Sequence, residues 1–418
     1  MDINNYLLLN MMVLVIYLYS FKVRKSIIKV DHCFLLVAGI IFYWLMPIYA
    51  YENKLFTYSF NELYQEISHS NIEDYLIYVL IIITSFLIGD GISNKLSIKF
   101  SKNNYCYSNY VLDAFYWVFL LLTLYSAYFL RESFFTGYEN VSAWPHERGW
   151  FISCCMALIT LNVINSFNII YKKQVPVNKL KYLLVFNKYF VSALFFNFLM
   201  LSTGNRGYFI SFLITILLIF NEVKGGFKLT KIIYLTLAFS FFNGFIAVLR
   251  SKADLNFMST VGNIFYESVN VGVTLFHHIR DMNYNLIEFP DVLISKFIGI
   301  IPSIIFPGKF ALMISPADVG KTVIRYQATT HNYVELLINF GLIGTIFIFF
   351  VLGVTLNWLK SKKHYVAIYV AVSAQIPFFF FRSFYDATVK YIFEFSILLP
   401  IVILSISLLR KKYLISKS

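Results

Sequence analysis

Charge is what this chain has least of. Asp, Glu, Lys and Arg make up 14% of its 418 residues, against about 25% in soluble globular domains. A water-soluble fold could not cover its apolar surface with so few charges, so that class is excluded. Cysteine is nearly absent: Cys33, Cys106, Cys154 and Cys155 form no Cys-x-x-Cys or spaced Cys/His pattern. Neither a redox motif nor a zinc site is expected, and adjacent Cys154 and Cys155 read as small lipid-buried residues and not as a disulfide. No internal repeat and no low-complexity linker breaks the chain, which argues for one domain over 1–418 and against a repeat-built transporter. Lys and Arg are missing ahead of the first apolar run, where only Asp2 stands, so a cleaved signal peptide is not expected.

Apolar length is what the chain has in abundance. Hydrophobic residues make up 59% and aromatics 19%, and the mean hydropathy is +0.68. Runs of about 20 residues recur throughout, the length of helix that crosses a hydrocarbon core of about 30 Å at 1.5 Å per residue. Polar breaks divide them into eleven expected spans: 3–21, 33–51, 75–92, 111–130, 149–170, 183–201, 208–220, 232–249, 333–356, 365–381 and 391–409. The expected class is an all-α, polytopic integral membrane protein.

The net charge of +13 would suggest nucleic acid in a soluble protein, but here the basic residues are topology signals first. Lys22, Arg24, Lys25 and Lys29 follow the first span, and Lys95, Lys99 and Lys102 follow the third. Lys172, Lys173, Lys179, Lys181 and Lys188 precede or open the sixth, and Lys224, Lys228 and Lys231 follow the seventh. Lys360, Lys362 and Lys363 follow the ninth, and Arg410, Lys411, Lys412 and Lys417 end the chain. These loops alternate without exception. The positive-inside rule makes them cytoplasmic, with the N-terminus outside and the C-terminus inside.

The outer side then holds the one long interruption, from Arg250 to the ninth span, with 250–332 as its loop. Its apolar pieces 255–278 and 291–306 are broken or too short to span, so the loop is expected to dock on the membrane face. Seven of the thirteen outer basic residues are arginine, whereas the inner set has only Arg24 and Arg410. Topology needs only positive charge and is indifferent to Arg or Lys; a planar fork of donors suits phosphate. Arg206, in the Gly-flanked turn Thr203-Gly204-Asn205-Arg206-Gly207, Arg250 at the end of the eighth span, Arg280 and Arg325 are the candidates for an anionic lipid, a lipid-linked diphosphate above all. Headgroup anchoring by snorkelling is the plainer alternative for each.

His331 opens the ninth span and Glu335 follows on the same helical face. An imidazole can take the proton of a sugar hydroxyl as it attacks. Glu335 could orient that ring, act as the base, or sit as a carboxylate at a helix N-terminus; His331 could simply cap the helix. His277-His278 lacks a spaced carboxylate or Cys to complete a metal site. Gly320-Lys321-Thr322 lacks the first glycine of a phosphate loop. The span middles carry no Asp, Glu, Lys or Arg, which favours chemistry at the surface over ion-coupled transport.

Together the Thr-Gly-Asn-Arg-Gly turn at 203–207, the arginine at 250 before a large outer loop, and His331-Asn332 followed by Gly341 and Gly344 resemble the Wzy-type O-antigen polymerases and, more distantly, the O-antigen ligases. The layout of most of the chain shares in this, whereas the matching sequence is confined to those motifs, and the second periplasmic loop usual in that family is here only the short turn. The resemblance implies a GT-C-like glycosyltransferase of the bacterial inner membrane, needing no metal or cofactor. It would move a growing glycan from undecaprenyl diphosphate onto a sugar hydroxyl of an incoming lipid-linked repeat unit at the periplasmic face. By matching motif, Arg206 and Arg250 would hold the departing diphosphate and His331 would activate the acceptor, with Glu335, Arg280 and Arg325 added from position and charge. The implied partners are lipid-linked donor and acceptor, the bilayer and a chain-length regulator, with no nucleic acid. A ligase or a lipid-linked oligosaccharide flippase are the alternatives.

Overall fold

A computed structural model of the chain describes residues 3–17, 23–24, 27–53, 69–96, 107–134, 147–172, 177–202, 206–228, 230–235, 237–238, 268, 275, 279, 291–301, 306–312, 332–381 and 389–417. Helix dominates these residues, because in lipid a backbone N–H or C=O finds no water and must be satisfied within its own segment. The helices are α1 (Ile3–Tyr17), α2 (His32–Glu52, with a π turn at Ile41–Leu45), α3 (His69–Leu96), α4 (Asn109–Phe129), α5 (Glu147–Lys172), α6 (Val177–Val185), α7 (Lys188–Ser202) and α8 (Arg206–Lys224). After the long loop come α9 (Asp291–Ile300), α10 (Asn332–Ser361), α11 (Val366–Ser373) and α12 (Leu399–Lys417), the last preceded by a π stretch, Val389–Leu398. Strands among the described residues are two-residue pieces. Val23–Arg24 and Ile27–Ile28 pair antiparallel, Val23 opposite Ile28.

Among the described residues, seven helices are long and apolar enough to cross a membrane: His32–Glu52, Ser70–Ser93, Asn109–Phe129, Arg148–Tyr171, Gly207–Lys224, Asn339–Ser361 and Tyr391–Tyr413. An eighth results if Lys179–Val185 and Lys188–Leu201, bent by 49°, form one span. The chain is an all-α polytopic membrane protein, and seven of the eleven expected spans have a counterpart among the described residues, eight if the bent pair is one span. Of the others, α1 is described over 15 residues, and the rest of the expected span 3–21 lies outside the described residues. The expected span 232–249 lies mostly outside the described residues. The segment 365–381 is helical in two pieces divided by a turn at 374–375. Within the long loop, α9 is ten residues long, too short to span, and Lys309 Nζ closes its end by donating to Gly299 O (2.8 Å) and Ile301 O (2.7 Å).

Two compact units make up the chain. The first comprises Met1–Ser97, Lys228–Trp358 and Ile376–Val389. In it α3 and α10 run in the same direction, antiparallel to α2: Trp44 and Tyr75 meet Tyr333 at one end (ring centroids 5.2 and 5.4 Å), and Asn357 Nδ2 donates to Asp90 O (2.7 Å) at the other. Gly89 and Gly353 let α3 and α10 touch backbone to backbone. A Cβ on Gly89 would stand 2.3 Å from Phe350 O, and one on Gly353 2.4 Å from Phe86 O. Small residues permit this approach, and interhelical bonds such as Ser85 Oγ to Ile346 O (2.9 Å) add about 0.6 kcal/mol each.

The second unit comprises Ile98–Phe227, Leu359–Gln375 and Lys390–Ser418. Its axis is α5, apolar on every face and buried from Phe151 to Phe167 except for partial exposure at Ser153 and Asn165. Cys154 and Cys155 are free thiols in that axis, so the expectation that they face lipid is corrected: the neighbouring helices cover α5 all round. One end of the unit is tied by polar pairs, Asn168 Nδ2 to Asn109 Oδ1 (3.0 Å), Asn165 Nδ2 to Asn187 Oδ1 (3.2 Å) and Tyr189 OH to Asp113 Oδ1 (2.7 Å).

Candidate functional site

The π turn in α2 explains how the start of α10 is held. Pro47 has no N–H to give the preceding turn, and the ladder widens there, with Met46 N bonding Ile41 O. Trp44 lies in that turn, wholly buried, and its indole N–H donates to Asn332 Oδ1 at 3.2 Å. Indole can only donate, so the carboxamide must present its oxygen to Trp44 and its NH2 to the opposite side. Among the described residues, that Nδ2 has no acceptor, although Asn332 is 3% exposed. A buried donor without a partner costs about 1–3 kcal/mol, and a residue that holds one in place is prepared for a ligand oxygen. Tyr333 packs edge-on between Trp44 and Tyr75 and secures the same turn.

Glu335 lies in the first turn of α10 and is 1% exposed. The N-terminal end of a helix favours a carboxylate there. Six residues on, Gly341 takes φ 61° and ψ −175°, a conformation that only glycine adopts without strain, and it breaks α10 into two pieces. Asn339 Nδ2 bonds Glu335 O (2.7 Å) and Thr345 Oγ1 bonds Gly341 O (2.7 Å), supplying donors to carbonyls about the break. The piece 332–340 is therefore a separate buried short helix that carries Asn332 and Glu335 ahead of the span proper.

In the second unit, α8 begins at Arg206. Tyr208, in its first turn, donates to the hydroxyl of Tyr391 at 3.2 Å, with the rings perpendicular and their centroids 5.4 Å apart. Arg148, in the first turn of α5, lies close enough to act electrostatically on both hydroxyls. Three helix beginnings thus meet at one end of the unit, bringing one cation and two phenols together beside the position where Arg206 starts its helix.

Of the residues expected to form a site, Glu335 is placed in the first unit and Arg206 at the start of α8 in the second. His331, Arg250, Arg280 and Arg325 lie outside the described residues. Sequence reasoning missed Asn332 as a donor, along with Trp44, Arg148, Tyr208 and Tyr391. Arg148 was visible among the outer cations, and Tyr208 and Tyr391 each stand within two residues of a basic residue at a span start; Trp44 carried no signal, being one aromatic among many. No family model, curated protein or solved structure matches this chain.

Proposed function

We propose that the chain is a polysaccharide polymerase of the bacterial inner membrane that extends lipid-linked glycans at the periplasmic face. The observation that carries this reading is the clasp at the start of α10: Asn332, next to His331, is fixed by Trp44 with its NH2 turned away and without a protein acceptor among the described residues. In the proposed reaction the acceptor sugar hydroxyl attacks the anomeric carbon of the donor glycan, and His331 takes its proton. The bond from that carbon to the diphosphate oxygen breaks, and undecaprenyl diphosphate leaves. Arg206, Arg250, Arg280 and Arg325 are assigned to the charge that grows on the leaving group, where preorganised cations lower the barrier most. Glu335, four residues on in sequence, is assigned to orient His331, and Asn332 Nδ2 to hold a sugar oxygen.

Deleting the chain in its native host tests the class of activity. Loss of a polymerase leaves acceptor carrying a single repeat unit, whereas loss of a ligase leaves bare acceptor with glycan stranded on its carrier. Loss of a flippase traps repeat units in the cytoplasmic leaflet, and unchanged surface glycan overturns the whole reading. His331→Ala and Arg206→Ala, inserted and expressed normally, are each expected to abolish extension beyond one unit. Normal glycan length from either removes that residue from the site.

A further inference from the structure

The opposite end of α2 and α3 from Trp44 and Tyr75 holds a second polar cluster, and the glycan reading makes no use of it. His32 Nε2 lies 3.0 Å from Asp90 Oδ1 and 3.5 Å from Cys33 Sγ. The Tyr17 hydroxyl hydrogen-bonds Asp90 Oδ2 and stands 3.9 Å from Cys33 Sγ. Asp31 completes the group: one ligand atom each from Asp31, His32 and Cys33 lie within 4.8 Å of one another. Asp31, His32, Cys33 and Asp90 are all 0–1% exposed. Three helices, α1, α2 and α3, converge to build it.

We infer that this cluster is a binding site for a divalent metal of the zinc class, with the Asp31 carboxylate, His32 and Cys33 Sγ as the ligands that lie together and the Asp90 carboxylate, 3.0 Å from His32 Nε2, closing the fourth position. Zinc with bonds of about 2.0–2.3 Å in tetrahedral array sets its ligand atoms roughly 3.3–3.7 Å apart. The 3.0 and 3.5 Å separations about His32 come close to that spacing before any metal draws them in. A thiol, an imidazole and carboxylates form a mixed set that selects zinc over the hard cations magnesium and calcium, which take oxygen. Charge points the same way. A bound dication would balance a thiolate and one carboxylate of this set.

The surroundings fit a built site. Asp31 Oδ1 accepts from Phe34 N (3.2 Å), which fixes it as the N-cap of α2, and Tyr17 fixes the second oxygen of Asp90. Such outer partners orient ligands and typically carry about 10–100-fold in affinity. Asn357 donates to the Asp90 carbonyl and so ties α10 to the same point. The metal would staple α1 to α2 and α3 as a structural element, apart from the glycosyl transfer.

The test uses the full chain purified in detergent without chelator. About one zinc per chain is expected, and after stripping, added Co2+ should give the near-ultraviolet charge-transfer band of a cobalt thiolate. Cys33→Ser should lose that band, the triple variant Cys106→Ser, Cys154→Ser, Cys155→Ser should keep it, and Tyr17→Phe should weaken Co2+ binding about 10-fold. A band that survives Cys33→Ser, or no thiolate band in the unaltered chain, overturns the inference. Zinc-edge X-ray absorption on the unaltered chain needs no variant: one sulfur at about 2.3 Å with nitrogen and oxygen at about 2.0–2.2 Å supports the site, and a shell without sulfur refutes it.

Discussion

At the scale of single residues, the donor-only chemistry of indole decides the most. Because Trp44 can only give a hydrogen bond, Asn332 must answer with its oxygen, and its NH2 is then aimed by elimination. Asn332→Ala removes the acceptor of a buried indole N–H, and Trp44→Phe removes the donor to a buried carboxamide oxygen. Each is expected to destabilise the protein by about 1–3 kcal/mol. The double variant should cost less than the sum, because the second change removes the group that the first orphaned. Thermal unfolding of the four proteins in detergent measures this, and strict additivity would show that the bond contributes nothing. Glycan extension should fall with Asn332→Ala by more than with Trp44→Phe, since only the former removes the donor assigned to substrate. Glu335 was legible from spacing alone, four residues beyond His331, whereas its burial was not.

At the scale of elements, two glycine arrangements shape the first unit. Gly89 and Gly353 are where α3 and α10 touch, and any side chain there meets backbone within 2.3–2.4 Å. Gly353→Leu is therefore expected to force the helices apart and to lower the melting temperature sharply, while Gly91→Ala, with nothing within 4 Å, should be silent. Equal effects from the two would refute the packing argument. Gly341→Ala should cost about 1–3 kcal/mol for strain at its positive φ, a moderate drop in melting temperature and not a collapse. The sequence singled out Gly341 by motif, but it offered no sign that the helix breaks there, because glycine is tolerated in unbroken spans as well. The same limit applies to α2: Pro47 marks a disturbance, yet only packing shows the π turn that places Trp44.

At the scale of the whole molecule, the loop charges and the helix directions are separate lines of reasoning. Within the first unit α3 and α10 run together and α2 runs against them, the alternation that the expected span order requires whichever side the N-terminus takes. The orientation itself remains part of the proposal, and a C-terminal fluorescent-protein fusion tests it. Fluorescence from that fusion, with labelling of a cysteine introduced at Lys54 by an impermeant reagent, is expected in intact cells. A dark fusion with an unlabelled Lys54→Cys would reverse the topology and move the proposed chemistry to the cytoplasmic side.

The amino-acid sequence by itself determined the class and seven of the expected spans, because apolar length is a local property that needs no partner: about twenty mostly nonpolar residues read as a span wherever they fall. It also determined the cation-bearing span starts, since charge position follows chain position. Only the tertiary structure decided which polar groups meet. Trp44 and Asn332 are 288 residues apart and His32 and Asp90 are 58 apart, and no spacing rule joins residues over such distances. Cys33 looked inert while Asp90, which meets His32, lay on another helix, and Asn332 stood in the sequence only as the motif neighbour of His331. Burial turns such chance neighbours into chemistry: away from water each polar group must find a partner, and the partners that packing supplies decide what a site can bind.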